Sequence, residues 1–271
     1  MRQQSPVVDF ASCRPRCRRR SRAPFNPHVE PASNGPLALL SATPSLARLR
    51  PHLSLVGLKR DEVLQYQGPR ADTVYFPTSS IVSLSCIAVD DSRGELTSVG
   101  REGLVGVSAL LDTNCSGHQA TVVSPGDAWT LPAEVLRREF ARDEACQSVL
   151  LRYLNGLLID ISHHSMCNTN HGLHQRLCRL LLETQYRGRS DTLRATQEGL
   201  ALRLGVRRES VNAAAAKLQE AGLICYWRGR IQILDSAGLA LLSCECFEQI
   251  QAGYDQLFAN DAWRATRGTG V

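Results

Sequence analysis

No run in this 271-residue sequence approaches the roughly 20 consecutive apolar residues that a membrane-spanning helix requires, so no membrane is expected among its partners. The sequence also lacks the short signatures of common catalysts. It has no Walker loop, no GxSxG elbow, no HExxH pair and no glycine-rich dinucleotide turn. Asp160, His163 and Ser165 stand close together, but on a helix they point to different faces, so catalysis is not expected. A secretory h-region is missing near the N-terminus, which implies a cytoplasmic setting. The ten scattered cysteines are accordingly expected as reduced thiols rather than a disulfide framework.

Net charge is absent from most of the chain. Residues 1–36 hold seven arginines against Asp9 and Glu30, a surplus that equals the whole net charge of +5. This segment, with Arg14–Arg22 at its centre, reads as a disordered basic tail. A DNA-contacting arm, an inert tail and sequence upstream of the natural start all fit its composition. Within the neutral remainder, residues 176–230 carry eleven Lys/Arg against five Asp/Glu. Such segregation of positive charge is the footprint of a nucleic-acid-binding domain.

What is present in that basic region is a helix, a glycine turn, a second helix and a hairpin. Thr196 is a good N-cap, and Leu200, Ala201 and Leu204 follow on one helical face. Gly205 supplies the turn. The second helix is expected from about Arg208 to Glu220, with Val211, Ala215 and Leu218 inward and Gly222 beyond its end. Ile224–Trp227 and Arg230–Leu234, joined by Arg228-Gly229, read as a hairpin. A helix-turn-helix places its second helix in the DNA major groove. On that helix Arg208, Glu209 and Asn212 are the candidate base readers, since Arg can pair bidentately with guanine and Glu can accept from cytosine. Thr196, Arg207, Ser210, Lys217, Arg228 and Arg230 are the candidate phosphate contacts.

At Thr196-Gln197-Glu198, Leu200-Ala201, Leu204-Gly205, Arg208-Glu209-Ser210-Val211, Leu218, Gly222-Leu223-Ile224 and Arg228-Gly229, the sequence resembles the Crp/Fnr family (cyclic-AMP receptor protein / fumarate–nitrate regulator) of bacterial transcription factors. Many members carry a further base-reading Arg four residues after the Ser or Thr of this motif. Position 214 is Ala here, as are 213, 215 and 216, so the family's usual operator is not implied.

Upstream, a short amphipathic helical segment over residues 37–53 precedes a β-rich region. Strands are expected at 56–58, 62–66, 73–76, 81–86, 96–99, 119–123 and 128–131, separated by turn residues, as in a sandwich or small barrel. The resemblance implies a cyclic-nucleotide-binding β-roll, continuing through Tyr75-Phe76-Pro77-Thr78 and Gly100-Arg101-Glu102-Gly103. In nucleotide-binding members a Glu reaches the ribose and an Arg grips the cyclic phosphate. Val107 and His118-Gln119 stand in those places, so the resemblance implies a β-roll that has lost both anchors and awaits another signal, or none.

From Asp143 to about Gln185 a single long helix is expected. Leu150, Leu154, Leu157 and Ile161 recur at coiled-coil spacing and make the expected dimer seam. Packing on the chain's own β-roll is the alternative, and because Tyr153 and Leu158 widen the apolar stripe the two contacts can coexist. His164, Cys167, His171 and His174 share a face of this helix, where they could in principle hold a transition metal. With no carboxylate beside them in the sequence, no metal is expected. An iron–sulfur cluster is not expected either, since Cys13 and Cys17 are only two closely spaced thiols, and no cofactor is anticipated. Cys244 and Cys246 read as small hydrophobes.

The expected protein is therefore α+β, in four parts: a tail (1–36), a cyclic-nucleotide-binding-like β-roll (37–142), a dimerisation helix and hinge (143–186) and a winged helix-turn-helix domain (187–260). It would act as a homodimeric, sequence-specific regulator on a pseudo-palindromic operator in double-stranded DNA, with RNA polymerase as a further candidate partner. The competing reading is a small-molecule sensing module that does not itself regulate DNA.

Overall fold

The computed structural model describes residues 30–31, 34–111 and 115–258. Most of the basic tail expected over 1–36 lies outside them. Its inner boundary moves, because Asn34 to Pro36 belong to the folded body. Asn34 is buried, caps the first helix by accepting from the Leu37 N–H, and donates to the carbonyls of Pro77 and Gly103 at 2.9 and 2.7 Å.

The helical segment expected over 37–53 is two short helices, α1 (Gly35–Leu40) and α2 (Pro44–Leu49). Pro44 ends the first possibility of continuity and begins the second helix, where its missing N–H costs nothing. Nine strands follow: β1 (Ser54–Leu58), β2 (Val63–Gln65), β3 (Gly68–Pro69), β4 (Thr73–Pro77), β5 (Ile81–Ile87), β6 (Arg93–Val99), β7 (Cys115–Ser116), β8 (Gln119–Ser124) and β9 (Gly126–Pro132). All seven expected strands are among them. β3 and β7 are two-residue strands with no alternation to read. Antiparallel sheets of order β1-β9-β4 and β2-β8-β5-β6, with the small pair β3-β7, enclose an apolar core that includes Phe76, Val82, Leu84, Val122 and Leu131.

Helix α3 (Ala133–Arg142) leads into α4 (Glu144–Asn170), whose N-cap Asp143 accepts from the Ala145 and Cys146 N–H groups. The long helix expected to reach about Gln185 is interrupted. His171 takes an extended conformation, and α5 (Leu173–Gly188) starts afresh after Gly172. Next come β10 (Thr192–Arg194), α6 (Gln197–Leu204), α7 (Arg208–Glu220), β11 (Ile224–Trp227), β12 (Arg230–Ile233), α8 (Ser236–Leu242) and α9 (Cys246–Leu257). The hairpin gains β10 as a third strand, in the order β10-β12-β11. A second core, with Leu177, Leu181, Leu200, Leu204, Val211, Leu218, Ile224 and Ile231, holds this domain together.

The last helix turns back on the first domain. α9 packs along α4, and Tyr254 and Phe258 enter the β-domain core. Gly156 of α4 permits this approach: a Cβ there would stand 2.5 Å from Leu257 Cδ1. Among the described residues no helix is long and apolar enough to cross a membrane.

Candidate nucleic-acid interface

The second domain builds a surface from local rules. The Thr196 hydroxyl oxygen accepts from the Gly199 N–H at 3.0 Å and so starts α6. Gly205 ends α6 at φ 64°, which only a residue without Cβ takes cheaply. α7 buries Val211, Ala214, Ala215 and Leu218 and turns its other side outward. Arg208, Glu209 and Asn212 are all exposed on that outer side, with Arg207 and Ser210 at its start and Lys217 on its flank. Arg228 and Gly229 both take positive φ, the form of two-residue hairpin turn that matches strand twist, and Arg228 and Arg230 are exposed at the tip.

The expected extra base-reading position needs a correction. Residue 214 is only 8% exposed and faces the domain core, so no side chain there could reach a groove. The alanines on the open side are Ala213 and Ala216.

The seam expected on α4 also changes. Leu150 and Leu157 are buried in the chain's own core, against the β-domain and α9. Leu154 and Ile161 are half-buried, while Leu151 (48% exposed) and Leu158 (64%) face outward. The open stripe is therefore Leu151, Leu154, Leu158 and Ile161, one residue out of phase with the expectation at two of its four positions. The reason is that α9, α1 and α3 already cover the side of α4 on which Leu150 and Leu157 lie.

Between the two domains lies a buried ionic cluster that sequence reasoning missed. Arg187 of α5 meets Asp160 of α4 at 2.8 Å, Glu102 at 3.3 Å and the Ser98 hydroxyl at 2.6 Å. Arg179 donates to Glu183 at 2.7 Å, and His164 Nε2 lies 3.3 Å from Asp160 and 3.2 Å from Glu183. Thr97 and Tyr254 donate to Asp160 as well. Burial opposes every one of these charges, yet Arg187 and His164 hold the Asp160 carboxyl below its ordinary range. Arg179 and His164 likewise hold Glu183 well below it despite burial. Burial lowers His164, but Glu183 and Asp160 outweigh it and raise the imidazole's pKa. Glu102 goes the other way, pushed up by burial in spite of Arg187. The signal available in the sequence was the i,i+4 spacing of Asp160–His164 and of Arg179–Glu183–Arg187.

A second junction joins α6 to the β-domain. Arg203 binds Glu95 of β6 at 2.8 Å and the Ser98 hydroxyl at 3.1 Å, and Arg60 donates to the Arg194 carbonyl at 3.1 Å. Beside these contacts is a cavity of about 270 Å³, lined from the β-domain by residues such as Arg93, Gln119 and Thr121 and from the second domain by Thr184 and Leu202.

The places where a cyclic nucleotide would be anchored are apolar or neutral. Val107 is buried in the β-domain core with Val105, Ala109 and Leu110. Burial lowers the pKa of His118, whose Nε2 has no partner, so the imidazole is neutral near pH 7 and offers no fixed charge to a phosphate.

The four helix residues considered for a metal separate. His164 joins the ionic cluster, and His174 is half-buried with no link to the others. Cys167 and His171 instead meet Cys244 and Cys246 from beyond the wing, with Cys167 Sγ 3.4 Å from Cys244 Sγ.

Comparison with known proteins supports each half. A model of the cyclic nucleotide-binding domain matches residues 55–143, and a model of the Crp-like helix-turn-helix domain matches residues 175–242. Among solved structures the chain is similar to FixK2 from Bradyrhizobium japonicum, at 16% identity, covering 71% of this chain and 98% of that one with a TM-score of 0.61. A Crp/Fnr-family transcriptional regulator from Thermus thermophilus is 24% identical, covering 70% and 98%, with a TM-score of 0.58. The c-di-GMP responsive global regulator CLP of Xanthomonas campestris is 18% identical, covering 70% and 97%, with a TM-score of 0.56. At such identities the likeness is one of fold. No match was found among curated proteins.

Proposed function

Since the chain belongs to the Crp/Fnr family of transcription regulators, with a cyclic nucleotide-binding domain followed by a Crp-like helix-turn-helix, we propose that it binds a pseudo-palindromic DNA site as a homodimer. The observation that carries this reading is the face of α7. Arg208, Glu209 and Asn212 are exposed together with the preceding Arg207 beside a basic hairpin tip, while the aliphatic side of α7 is spent on the domain core. α7 would enter the major groove with Arg208, Glu209 and Asn212 at base edges, and Thr196, Arg207, Ser210, Lys217, Arg228 and Arg230 would meet phosphates. Two copies would present their recognition helices about 34 Å apart.

The dimer would form along the open stripe of α4, Leu151, Leu154, Leu158 and Ile161. Leu158→Asp places a carboxylate in that stripe without touching the chain's own core, so light scattering should report a folded monomer. A dimeric Leu158→Asp protein would place the interface elsewhere.

The signal does not enter as a cyclic nucleotide held by a Glu and an Arg, because Val107 and His118 supply neither charge. Whatever the signal, it would act by shifting β6 and α4 against α5, since the ionic cluster and the Arg203–Glu95 junction join these elements to the DNA-binding domain. Selection of bound sequences from random DNA by the purified protein tests the whole reading. A palindromic motif whose affinity falls steeply with salt is the expected result. Recovery of unselected DNA would leave only the sensing module.

A further inference from the structure

At the break between α4 and α5 four metal-ligating side chains converge from the two ends of the second half of the chain. Cys167 and His171 are one turn apart at the end of α4, and Cys244 and Cys246 flank Glu245 where α9 begins. Their ligand atoms all lie within 4.8 Å of one another. Cys167 Sγ is 3.4 Å from Cys244 Sγ, and Cys246 Sγ is 3.5 Å from His171 Nδ1. Ligands about 2.0–2.3 Å from a central ion at tetrahedral angles stand roughly 3.5–3.8 Å apart, so modest adjustment closes such a site.

Apolar packing does not account for the group. The buried thiols of Cys146 and Cys178 sit within large aliphatic cores, as small hydrophobes do. Cys167, Cys244 and Cys246 form a separate cluster, buried almost completely, with Met166 as its apolar neighbour. The imidazole is also set up as a ligand. Its Nδ1 faces the thiols while its Nε2 lies 3.3 Å from the exposed carboxylate of Glu245. A carboxylate on the far nitrogen fixes the tautomer that leaves the near one free to coordinate. Arg176, whose buried Nε has no partner, and Arg179 are close enough to act electrostatically on Cys167. Both suit a centre that carries one net negative charge once three thiolates surround a divalent cation.

We propose that Cys167, His171, Cys244 and Cys246 bind a structural Zn²⁺ that clasps the start of α9 to the end of α4. The sulfur-rich, closed, four-ligand set suits zinc. The spacing has room for one ion and not for an iron–sulfur cluster, whose ligand sulfurs stand further apart. Binding displaces the three thiol protons to solvent and leaves the Nε2 proton of His171 directed at Glu245. Because α4 and α5 meet at His171-Gly172, the ion fixes the angle at which the DNA-binding domain leaves the long helix.

The test uses the untagged full chain purified under reducing conditions. Elemental analysis should find about one zinc per chain, and the cobalt-substituted protein should show the charge-transfer and visible bands of a tetrahedral site with three thiolates. Cys244→Ser should lose the metal, whereas Cys86→Ser, at an exposed thiol elsewhere, should keep it. Glu245→Gln, which leaves all four ligands in place, should weaken zinc binding about 10–100-fold. A wild-type chain without stoichiometric zinc and without the cobalt spectrum would overturn the assignment, as would a Cys167–Cys244 disulfide or full zinc retention in Cys244→Ser.

Discussion

Two arginine-rich regions of this chain have opposite fates. On α7 and the hairpin tip Arg207, Arg208, Lys217, Arg228 and Arg230 are exposed. At the junction of α4, α5 and β6, Arg179 and Arg187 are buried among carboxylates, and Arg203 is closed against Glu95. All eight belong to the same stretch of eleven basic residues that reads as a nucleic-acid footprint. Part of that positive charge is internal mortar between domains and is not offered to DNA. A local charge count therefore overstates the binding surface, and only burial separates the two uses.

The largest effect should come from the buried region. Arg187→Met keeps much of the side-chain volume but strips Asp160 and Glu102 of their cation, which should cost about 3–5 kcal/mol of stability. Urea unfolding measures it, and a loss below about 1 kcal/mol would mean that the cluster is not what joins the domains.

On the exposed region the same kind of change should leave stability intact. Arg208→Ala should cost about 1–3 kcal/mol at the selected DNA site and relax preference at one base pair of each half-site. Arg230→Ala should weaken all sequences alike and flatten the salt slope by about one unit. If both variants lost affinity evenly with the motif unchanged, base reading would fall to Glu209 and Asn212 or to the deformability of the site.

The smallest expected effect concerns His164. Its folded pKa is raised, so the stability it adds is fully present below the unfolded value of about 6.5 and fades as pH rises through the folded value. The melting-temperature lead of the wild type over His164→Gln should therefore be largest below about pH 6.5 and shrink as pH rises above it. A constant lead would show that the imidazole contributes packing and not charge.

The sequence alone determined the features that local rules create. Thr196, Gly205 and Gly222 bound their helices, flanking turn residues marked out the strands at 81–86 and 119–123, and Arg208, Glu209 and Asn212 fell on an open helix face because 3.6-residue periodicity put Val211, Ala215 and Leu218 opposite them. The helix breaks and small strands were less legible. One proline splits the 37–53 segment, and β3 and β7 are too short to alternate.

Only the tertiary structure decided which face of α4 is left open. Leu150 and Leu154 have the same spacing relations in the sequence, and it is α9, returning from beyond the wing, that helps to bury one side of the helix and not the other. The same return set Cys244 against Cys167 across 77 residues and put the Glu245 carboxylate on His171. Periodicity reports what a segment does to its own neighbours. Charge pairing and ligand convergence depend on segments that the chain brings together only when both cores have formed.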